Sequence, residues 1–379
     1  MAHSIAMRIS SLIKRYVIVI LSAIVLAGCV MDSSDERLFI AHRGVNMRYV
    51  AAGENSIEAI RLAKRAGFQC IETDVRLTAD SVLVVMHDHT LRRTSLNPDG
   101  SRVDKSFKVA DFTMEQLRND FVLRSPKEDM RTQIPTLEEY LKVCKEEGLL
   151  VFIEPKLKDA TGRHYLDIMA CADTIFGRGN YIITSNNFAN GVIRDTLGIK
   201  DVPLMGILYQ TTYENIALMP DVIMAISTSQ FDPEAYACNV ARSKADGLIT
   251  ESHADSFDRF NMINNADIDY VSTDFLAPDW RGQGKTLAYR KACGTEAALE
   301  IADECVQMDS VAFGAVYLEM EYCGKANVVL ADQKFDLCSD SWRKAKHQIL
   351  LSGAQPLFGF DEMSEDFKVK KISLRVVEF

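Results

Sequence analysis

From residue 38 to about residue 276, short apolar runs alternate with segments of helical periodicity. The apolar runs have the length and composition of buried strands, and there are nine of them: LFIAH, CIETDV, VLVVMH, LLVFIE, YIITS, VPLMGIL, VIMAIS, DGLIT and DYVSTD. Amphipathic stretches such as NSIEAIRLAKRAG, TLEEYLKVCKEEG and PEAYACNVARSKA stand between several of them. Repeated alternation of strand and helix predicts right-handed βαβ units and a parallel sheet, and therefore an α/β fold.

The number and spacing of these units favour a (β/α)₈ TIM-like barrel, which we expect over residues 38–285. About eight units fit into the roughly 240 residues that such a barrel occupies. Nine runs are one too many, so the barrel is expected to be distorted. The irregularity is expected between CIETDV and VLVVMH, because the link RLTADS is too short for a crossover helix. A polar, turn-rich insertion is expected at about 95–134, and a doubly wound open sheet remains the alternative fold.

The pattern changes near the C-terminus. The segments SVAFGAVYLEMEY, ANVVLADQKFDL and FKVKKISLRVVEF show partial alternation with a period of two, separated by turn residues. This is typical of antiparallel strands. We therefore expect a small β-sandwich domain over 290–379, which either only packs on the barrel or binds sugars or a surface.

The first 29 residues are expected to be a targeting segment rather than part of the fold. Arg8, Lys14 and Arg15 precede the apolar run YVIVILSAIVLAGC, which ends in small residues. This layout is typical of a secretory signal and is short for a membrane span. LAGC resembles a bacterial lipobox, which implies lipid modification of Cys29, a tether over 30–37 and a lipid anchor in the cell envelope. An uncleaved anchor helix or a plain signal peptide are the alternatives.

The net charge narrows the possible partners. The chain of 379 residues carries a formal net charge of −10, which argues against nucleic acid as its main partner. A small phosphate ester remains possible, since a cation and an arginine can meet its charge locally. The cysteines after Cys29 are scattered without the spacing of a zinc site.

Three carboxylates are expected to converge at one end of the barrel. Glu72 and Asp74 are two apart in a predicted strand, so they project to the same side, and Glu154 ends another strand with Lys156 beyond it. Active sites of such barrels lie at the C-terminal ends of the strands. Oxygen ligands alone suit a hard divalent cation, Mg²⁺ or Ca²⁺. Solvated strand ends are the alternative explanation for the acids.

Two histidines are expected at the same rim, because His42 and His87 close the first and third runs. Histidine titrates near neutral pH and can act as acid or base. Arg43 adds a fork of donors that fits two phosphoryl oxygens. A cation, an arginine and two histidines together indicate displacement at a phosphodiester.

These motifs, in order HRG, ENS, IETDVRLTADSVLVVMHDHTLRRT, IPTLEEYL, IEPK and STD, resemble the glycerophosphodiester phosphodiesterase family. The resemblance covers about 38–276 and implies metal-dependent release of glycerol 3-phosphate from a small-molecule glycerophosphodiester. It implies roles for eight residues of this chain: His42 and His87 as catalytic histidines, Glu72, Asp74 and Glu154 as metal ligands, and Arg43, Lys156 and Asn55 on the substrate side.

Some departures and alternatives bear on the substrate. Ser56 and Ser81 replace a threonine and a glycine of the family pattern, and Pro155 interrupts the third carboxylate strand. Asn55 could equally cap the following helix, with Glu58 answering back. Two other functions are considered: a phospholipase-like phosphodiesterase on a similar barrel, and a non-catalytic lipoprotein that binds surface glycans or polymers.

Overall fold

The computed structural model describes most of the chain after residue 36. The described residues are 37–45, 52–125, 128–185, 187–207, 222–228, 232–264, 266–278, 285–292, 306–307, 313–330, 333–351 and 357–378. The expected signal segment, its Cys29 and most of the tether lie outside them. Within these ranges, no helix has the length and apolar character needed to cross a membrane.

Strands and helices alternate through the first part of the chain. The strands are β1 (Leu38–Ala41), β2 (Cys70–Leu77), β3 (Leu83–Val85), β4 (Ser95–Leu96), β5 (Val122–Leu123), β6 (Leu150–Pro155), β7 (Ile182–Ser185), β8 (Leu204–Ile207), β9 (Val222–Ala225), β10 (Thr250–Ala254) and β11 (Tyr270–Thr273). The helices are α1 (Ile57–Arg65), α2 (Met114–Asp120), α3 (Leu137–Glu146), α4 (Arg163–Phe176), α5 (Asn187–Gly191), α6 (Pro233–Ala245) and α7 (Phe257–Asn264). Short 3₁₀ turns at Val109–Asp111 and Glu128–Met130 and a π-turn at Val192–Thr196 complete the described helical segments.

Eight of these strands are parallel and form a closed barrel. Their order is β1, β2, β6, β7, β8, β9, β10, β11, and β11 pairs with β1 again. Closure excludes the doubly wound open sheet. The run that does not belong to the barrel is VLVVMH, which contains β3. This strand pairs antiparallel with β2 at the edge of the sheet. The predicted distortion is therefore confirmed at the predicted place, where a short link permits a hairpin and no crossover.

Local capping defines where the outer helices begin. Thr136 accepts from the backbone N–H of Glu139, whose carboxylate accepts from the N–H of Thr136, so a reciprocal capping box starts α3. At the start of α6 the Asp232 carboxylate accepts from the backbone N–H of Ala235, and Pro233 occupies the first helical position. The apolar faces of these helices pack on the outside of the barrel. Inside it, the side chains of Ile40, Phe152, Met205 and others fill the lumen, so the barrel is a packed core.

The insertion after β3 is ordered around a small core of its own. Buried side chains from β3, from the 3₁₀ turn, from α2 and from β5 contact one another there: Val84, Met86, Leu91, Val103, Val109, Met114, Leu117, Phe121, Leu123 and Ile134. The strands β4 and β5 pair antiparallel within it. The polar insertion predicted at about 95–134 is therefore part of a folded subdomain, and most of its polar residues lie on the surface of that subdomain.

The antiparallel sheet predicted near the C-terminus is confirmed. Its strands are β12 (Lys285–Ala292), β13 (Val306–Gln307), β14 (Gly314–Leu330), β15 (Gln333–Leu351), β16 (Leu357–Met363) and β17 (Lys368–Glu378). The long strand β14 pairs with β15 along one edge and with β16 and β17 along the other. These described strands form one continuous sheet, whereas the sequence pattern suggests the two facing layers of a sandwich. The sheet includes Lys285, so it starts before the predicted boundary at 290.

The sheet packs directly on the barrel. The backbone N–H of Leu350 donates to the carbonyl of Phe275 at 2.8 Å, and the hydroxyl of Tyr317 donates to the carbonyl of Pro278 at 3.1 Å. Buried residues of the sheet belong to the same apolar cluster as those outside the barrel. Residues Leu38–Phe379 form one compact unit.

Candidate active site at the barrel rim

The C-terminal ends of β1, β2 and β6 bring the predicted residues together. Asp74 in β2 stands opposite Glu154 in β6 in the strand register, and Glu72 lies two residues before Asp74 on the same side. His42 directly follows β1, which lies on the other side of β2. Parallel pairing therefore converts three distant sequence motifs into one cluster.

The three carboxylates form a group that fits a divalent cation. One oxygen each from Glu72, Asp74 and Glu154 lies within 4.8 Å of the others. Oε1 of Glu72 and Oδ1 of Asp74 are buried, and neither has a hydrogen-bond partner among the described residues. Burial, together with the Asp74 carboxylate, raises the pKa of Glu72. Buried oxygens without donors and a repelled carboxylate are what a hard cation would satisfy.

Lys156 lies beside this cluster, as predicted. Its Nζ is 2.6 Å from Oε1 of Glu154 and 3.4 Å from Oδ1 of Asp74. Burial tends to raise the pKa of Asp74, but the positive charges of Lys156 and Arg43 outweigh it and hold that pKa below its ordinary value. The cluster is therefore a mixed group of positive and negative charges.

Arg43 is fixed by its backbone as well as by its side chain. It adopts a left-handed conformation with φ 59°, and its N–H donates to Oε2 of Glu72 at 3.1 Å. Its Nε lies 3.4 Å from Oδ2 of Asp74. The next residue, Gly44, has φ 75°, and a Cβ there would lie 2.7 Å from Cβ of Ala59. Only glycine fits this turn, which aims the Arg43 guanidinium at the carboxylates.

Asn55 lies behind the cluster rather than at a helix cap. It has φ 60° and is buried, its Nδ2 donates to Oδ2 of Asp74 at 2.9 Å, and its Oδ1 accepts from Thr73 Oγ1 at 2.9 Å. The cap of α1 is Ser56, whose Oγ accepts from the N–H of Ala59 at 3.0 Å. The alternative that Asn55 caps the helix is therefore excluded, because its left-handed backbone turns its side chain toward β2; its role on the substrate side stays a prediction.

His42 is held between two carboxylates. Its Nδ1 donates to Oδ1 of Asp274 at 2.7 Å, and its Nε2 lies 3.8 Å from Oε2 of Glu72. Burial lowers the pKa of His42, but Asp274 and Glu72 together outweigh burial and raise it to about 9. The ring of His253 contacts it edge-on, with the ring centroids 4.8 Å apart. The imidazole is therefore restricted to one orientation.

His87 has a different setting on the other side of the cluster. Its Nδ1 donates to Oδ1 of Asp88 at 2.7 Å, and its side chain is 28% exposed. Burial lowers its pKa. Arg76 fixes the local backbone, because Nε donates to the carbonyl of His87 at 2.8 Å and NH1 to that of Lys156 at 3.0 Å. Arg76 therefore links the segment that contains His87 to the segment that contains Lys156.

The sequence analysis missed functional candidates on the last two barrel strands. Asp274 belongs to the STD motif, but nothing in its local sequence marks it as a partner of His42. Glu251 is buried in β10 and accepts from Ser272 Oγ at 2.5 Å, and burial raises its pKa to about 7. His253, for which the sequence offers no partner, has Nδ1 3.0 Å from Ser272 Oγ, and burial lowers its pKa to about 4. The contact of Asp274 with His42 requires closure of the barrel between β11 and β1, whereas the contacts with Ser272 come from the pairing of β10 with β11.

These groups surround a single cleft of about 280 Å³. Its charged lining, called here the charged wall, includes His42, Arg43, Glu72, His87, Glu154 and Lys156. Thr184, Thr228, Glu251 and Ser272 also line it, together with apolar side chains such as Ile40, Phe152 and Met205. A ligand bound in this cleft would contact acidic, basic and cationic side chains together. Such side chains can transfer protons and stabilise charge while a polar bond is cleaved. Fold and cleft together define the class: a TIM-type barrel with a carboxylate, lysine, arginine and histidine site at the C-terminal ends of its strands.

Comparison with known proteins shows which family this part of the chain is similar to. Residues 42–196 match the glycerophosphoryl diester phosphodiesterase family. The chain is 36% identical to glycerophosphodiester phosphodiesterase 1 of Mus musculus over 132 residues, which are 34% of this chain and 36% of that protein. It is 38% identical to a glycerophosphodiester phosphodiesterase of Caldanaerobacter subterraneus over 120 residues, or 31% of this chain and 45% of that protein. The matched segment thus spans less than half the length of these curated relatives.

Solved structures support the fold over a longer part of the chain. A glycerophosphodiester phosphodiesterase from Parabacteroides distasonis superimposes with a TM-score of 0.52 at 20% identity, covering 64% of this chain and 94% of that one. One from Agrobacterium tumefaciens gives a TM-score of 0.50 at 23% identity, with 63% and 96% covered. At this level of identity the likeness establishes the barrel alone.

Proposed function

We propose that the protein hydrolyses glycerophosphodiesters to glycerol 3-phosphate and an alcohol, with the two rim histidines as acid and base and a divalent cation as cofactor. The observation that carries this proposal is the cleft, in which two carboxylate-bound histidines flank three convergent carboxylates. The family match over residues 42–196 and the names of the curated relatives support the substrate class.

The charged wall suits a phosphodiester. Glu72, Asp74 and Glu154 would hold Mg²⁺ or Ca²⁺, which when bound supplies positive charge for the phosphoryl oxygens. Arg43 and Lys156 both line the cleft and bring donors for the same oxygens. A monoanionic phosphodiester therefore meets cationic groups on the side where its charge increases during the reaction.

The histidines would act on the oxygen that attacks phosphorus and on the oxygen that leaves it. One imidazole takes the proton of the glycerol hydroxyl next to the phosphate, and that oxygen attacks phosphorus. The bond from phosphorus to the alcohol oxygen breaks as the other imidazole protonates that oxygen. Water then opens the cyclic ester by the reverse proton movements and gives glycerol 3-phosphate. Attack by a neighbouring hydroxyl benefits from proximity, which contributes as much as about 7–11 kcal/mol in well-oriented cases.

Hydrogen bonds at Nδ1 prepare both histidines for this work. Asp274 occupies Nδ1 of His42 and Asp88 occupies Nδ1 of His87, each at 2.7 Å. Proton exchange with substrate would then take place at Nε2 of each ring, which in His42 lies 3.8 Å from Oε2 of Glu72. The carboxylates also stabilise the imidazolium that forms when a ring accepts a proton, as in other histidine-carboxylate pairs.

We also propose the location that the N-terminal sequence indicates. The lipobox-like LAGC would make Cys29 a lipid-modified N-terminus and anchor the enzyme in a bacterial cell envelope. Support for this part comes from the sequence alone. Metabolic labelling with a radioactive fatty acid is expected to label the protein and to leave Cys29→Ser unlabelled. Equal labelling of the two would contradict the anchor.

Release of glycerol 3-phosphate tests the activity. Residues 30–379 are assayed with glycerophosphocholine and glycerophosphoethanolamine in Mg²⁺, Ca²⁺ or EDTA, beside His42→Ala, Glu72→Ala and the control His89→Ala. His89 is an exposed histidine two residues from His87, so its loss should leave activity within about twofold. His42→Ala and EDTA should each lower the rate at least about 100-fold.

Two outcomes would replace the proposal. Cleavage of intact phospholipid in preference to these glycerophosphodiesters would indicate the phospholipase-like alternative. Folded protein without turnover of either substrate class under any metal condition would favour the polymer-binding alternative.

A further inference from the structure

A second cavity, unrelated to any predicted residue, opens on the insertion. It has a volume of about 290 Å³ and is lined by Thr90 and four arginines: Arg92, Arg93, Arg102 and Arg124. The chain as a whole carries a formal net charge of −10, so four converging guanidinium groups are a local reversal of its charge. Guanidinium groups that converge without an anion repel one another.

Hydrogen-bonded backbone brings these arginines together. The N–H of Arg124 donates to the carbonyl of Thr94 at 2.8 Å, next to the pairing of β4 with β5. Arg102 bridges to Leu96 across a turn in which the N–H of Asn97 donates to the carbonyl of Ser101 at 3.0 Å. The folded insertion therefore fixes the backbone positions from which the exposed side chains of Arg102 and Arg124 extend.

Most of this positive charge is not neutralised by the protein. In the part of the chain that the structure describes, Arg92, Arg102 and Arg124 have no carboxylate within ion-pair distance. Asp104, whose pKa the Arg92 charge helps to lower, accepts from the N–H and the hydroxyl of Ser106. An anion with several oxygens would satisfy such a group better than a single carboxylate.

Arg93 connects this cavity to the candidate active site. Its guanidinium donates to Asp88 at 2.7 and 2.8 Å and to Glu54 at 2.5 and 2.8 Å. Asp88 in turn bonds His87, and Glu54 lies 3.4 Å from NH1 of Arg43. A ligand in the cavity would therefore lie one layer of side chains away from the acid-base residues.

We propose that Arg92, Arg102, Arg124 and Thr90 bind a phosphate group, namely a second phosphate of a substrate that contains several linked glycerophosphates. This rests on the proposed function, because it extends the substrate beyond the diester that is cleaved. Each of these three guanidinium groups can offer paired N–H donors to tetrahedral oxygens, and the Thr90 hydroxyl adds another donor. The volume of about 290 Å³ accommodates one phosphate with its neighbouring atoms, and the link from Arg93 through Asp88 to His87 suits a chain that runs from one site to the other.

Two measurements on the full chain in detergent test this site. Calorimetric titration with inorganic phosphate and pyrophosphate compares wild type with Arg92→Gln/Arg102→Gln/Arg124→Gln. Kinetics then compare glycerophosphocholine, which has one phosphate, with bis(glycerophospho)glycerol, which has two. The control, Arg61→Gln/Lys142→Gln/Arg163→Gln, removes the same charge from exposed positions on outer helices.

The arginine variant should weaken phosphate and pyrophosphate binding at least about tenfold. It should also lower kcat/KM at least about tenfold for the two-phosphate substrate, while glycerophosphocholine turnover stays within about twofold of the control variant. Loss of about 1.4 kcal/mol of binding free energy corresponds to the tenfold change.

Other results would overturn the inference. Equal phosphate binding by wild type and variant, or equal loss on both substrates, would show that the cavity is not a phosphate site. Loss of binding to anionic lipid vesicles, with unchanged phosphate binding, would identify the surface as a membrane contact instead. If neither substrate is turned over by wild type, the proposed function fails, and the phosphate titration still decides whether the site binds phosphate.

Discussion

Two histidines, one partly buried at the barrel rim and one buried in the C-terminal sheet, have opposite acid-base properties. His347 in β15 is 3% exposed, its ring centroid lies 3.8 Å from that of Phe335, and burial lowers its pKa to about 3. Burial also acts to lower the pKa of His42, yet Asp274 and Glu72 raise it to about 9. The two histidines differ because carboxylates contact the imidazole at the barrel rim. Burial alone would keep that imidazole neutral.

This contrast separates packing from chemistry. A histidine among apolar side chains can be replaced by any residue of similar volume, whereas a histidine between two carboxylates has a defined orientation and a defined proton partner. Groups with strongly perturbed pKa values in a cleft are concentrated at functional sites. The comparison can therefore be tested by removing a carboxylate from one histidine and by removing the other histidine altogether.

Asp274→Asn should produce the largest effect, because it makes the surroundings of His42 resemble those of His347. We expect kcat for a glycerophosphodiester to fall about 10²–10³-fold, within the range that general acid-base groups contribute. Because Asp274 acts through His42, the diagnostic measurement is the NMR titration of the His42 ring, whose pKa should move down from about 9.

A matched carboxylate serves as the control for this variant. Asp201→Asn removes an exposed acid that pairs with Arg178 at 3.0 Å, away from the cleft. It should change kcat less than about twofold. A loss of activity in Asp274→Asn with an unchanged His42 titration would show that Asp274 stabilises the fold and does not orient the histidine.

His347→Leu should give an intermediate effect, on stability rather than activity. The pKa of His347 is about 6.5 in the unfolded chain and about 3 in the folded chain, so between these values only the unfolded chain binds the proton. The wild type therefore has its full stability above pH 6.5 and loses it as the pH falls, by about 1.4 kcal/mol per pH unit. From pH 7 to pH 5, urea unfolding should show wild type losing about 2 kcal/mol more than His347→Leu. Parallel losses in the two proteins would mean that His347 does not titrate on unfolding.

The sequence predicted the part of the site that local patterns encode. Spacing by two within one strand places Glu72 and Asp74 together, and the ends of apolar runs place His42 and His87 at the rim. The short link after β2 also predicted an irregularity of the barrel there, which is the antiparallel pairing of β2 with β3. These features depend on strand geometry over a few residues, which is why they can be derived without knowing the fold.

The rest of the site depends on closure and on backbone conformation. Asp274 lies 232 positions after His42 and reaches it only because β11 pairs with β1. The left-handed conformation of Asn55, which directs its side chain to Asp74 and leaves the cap to Ser56, has no clear signature in ENS. The arginine cluster was hidden for a similar reason, since Arg92 and Arg124 are separated by a segment that reads as polar loop. Contacts between distant segments carry little local signal.

Asp88→Asn should have the smallest of the three effects, although it removes a carboxylate at the same 2.7 Å distance from a histidine. The pKa of His42 is raised, chiefly by Asp274, whereas burial lowers the pKa of His87 in spite of Asp88, so Asp88 has the weaker effect on its histidine. The asparagine oxygen can still accept from Nδ1, so we expect about a tenfold fall in kcat with a changed pH-rate profile. Asp88→Glu, which keeps the charge, should recover part of the rate. A fall as large as that of Asp274→Asn would mean that both histidines depend equally on their carboxylates.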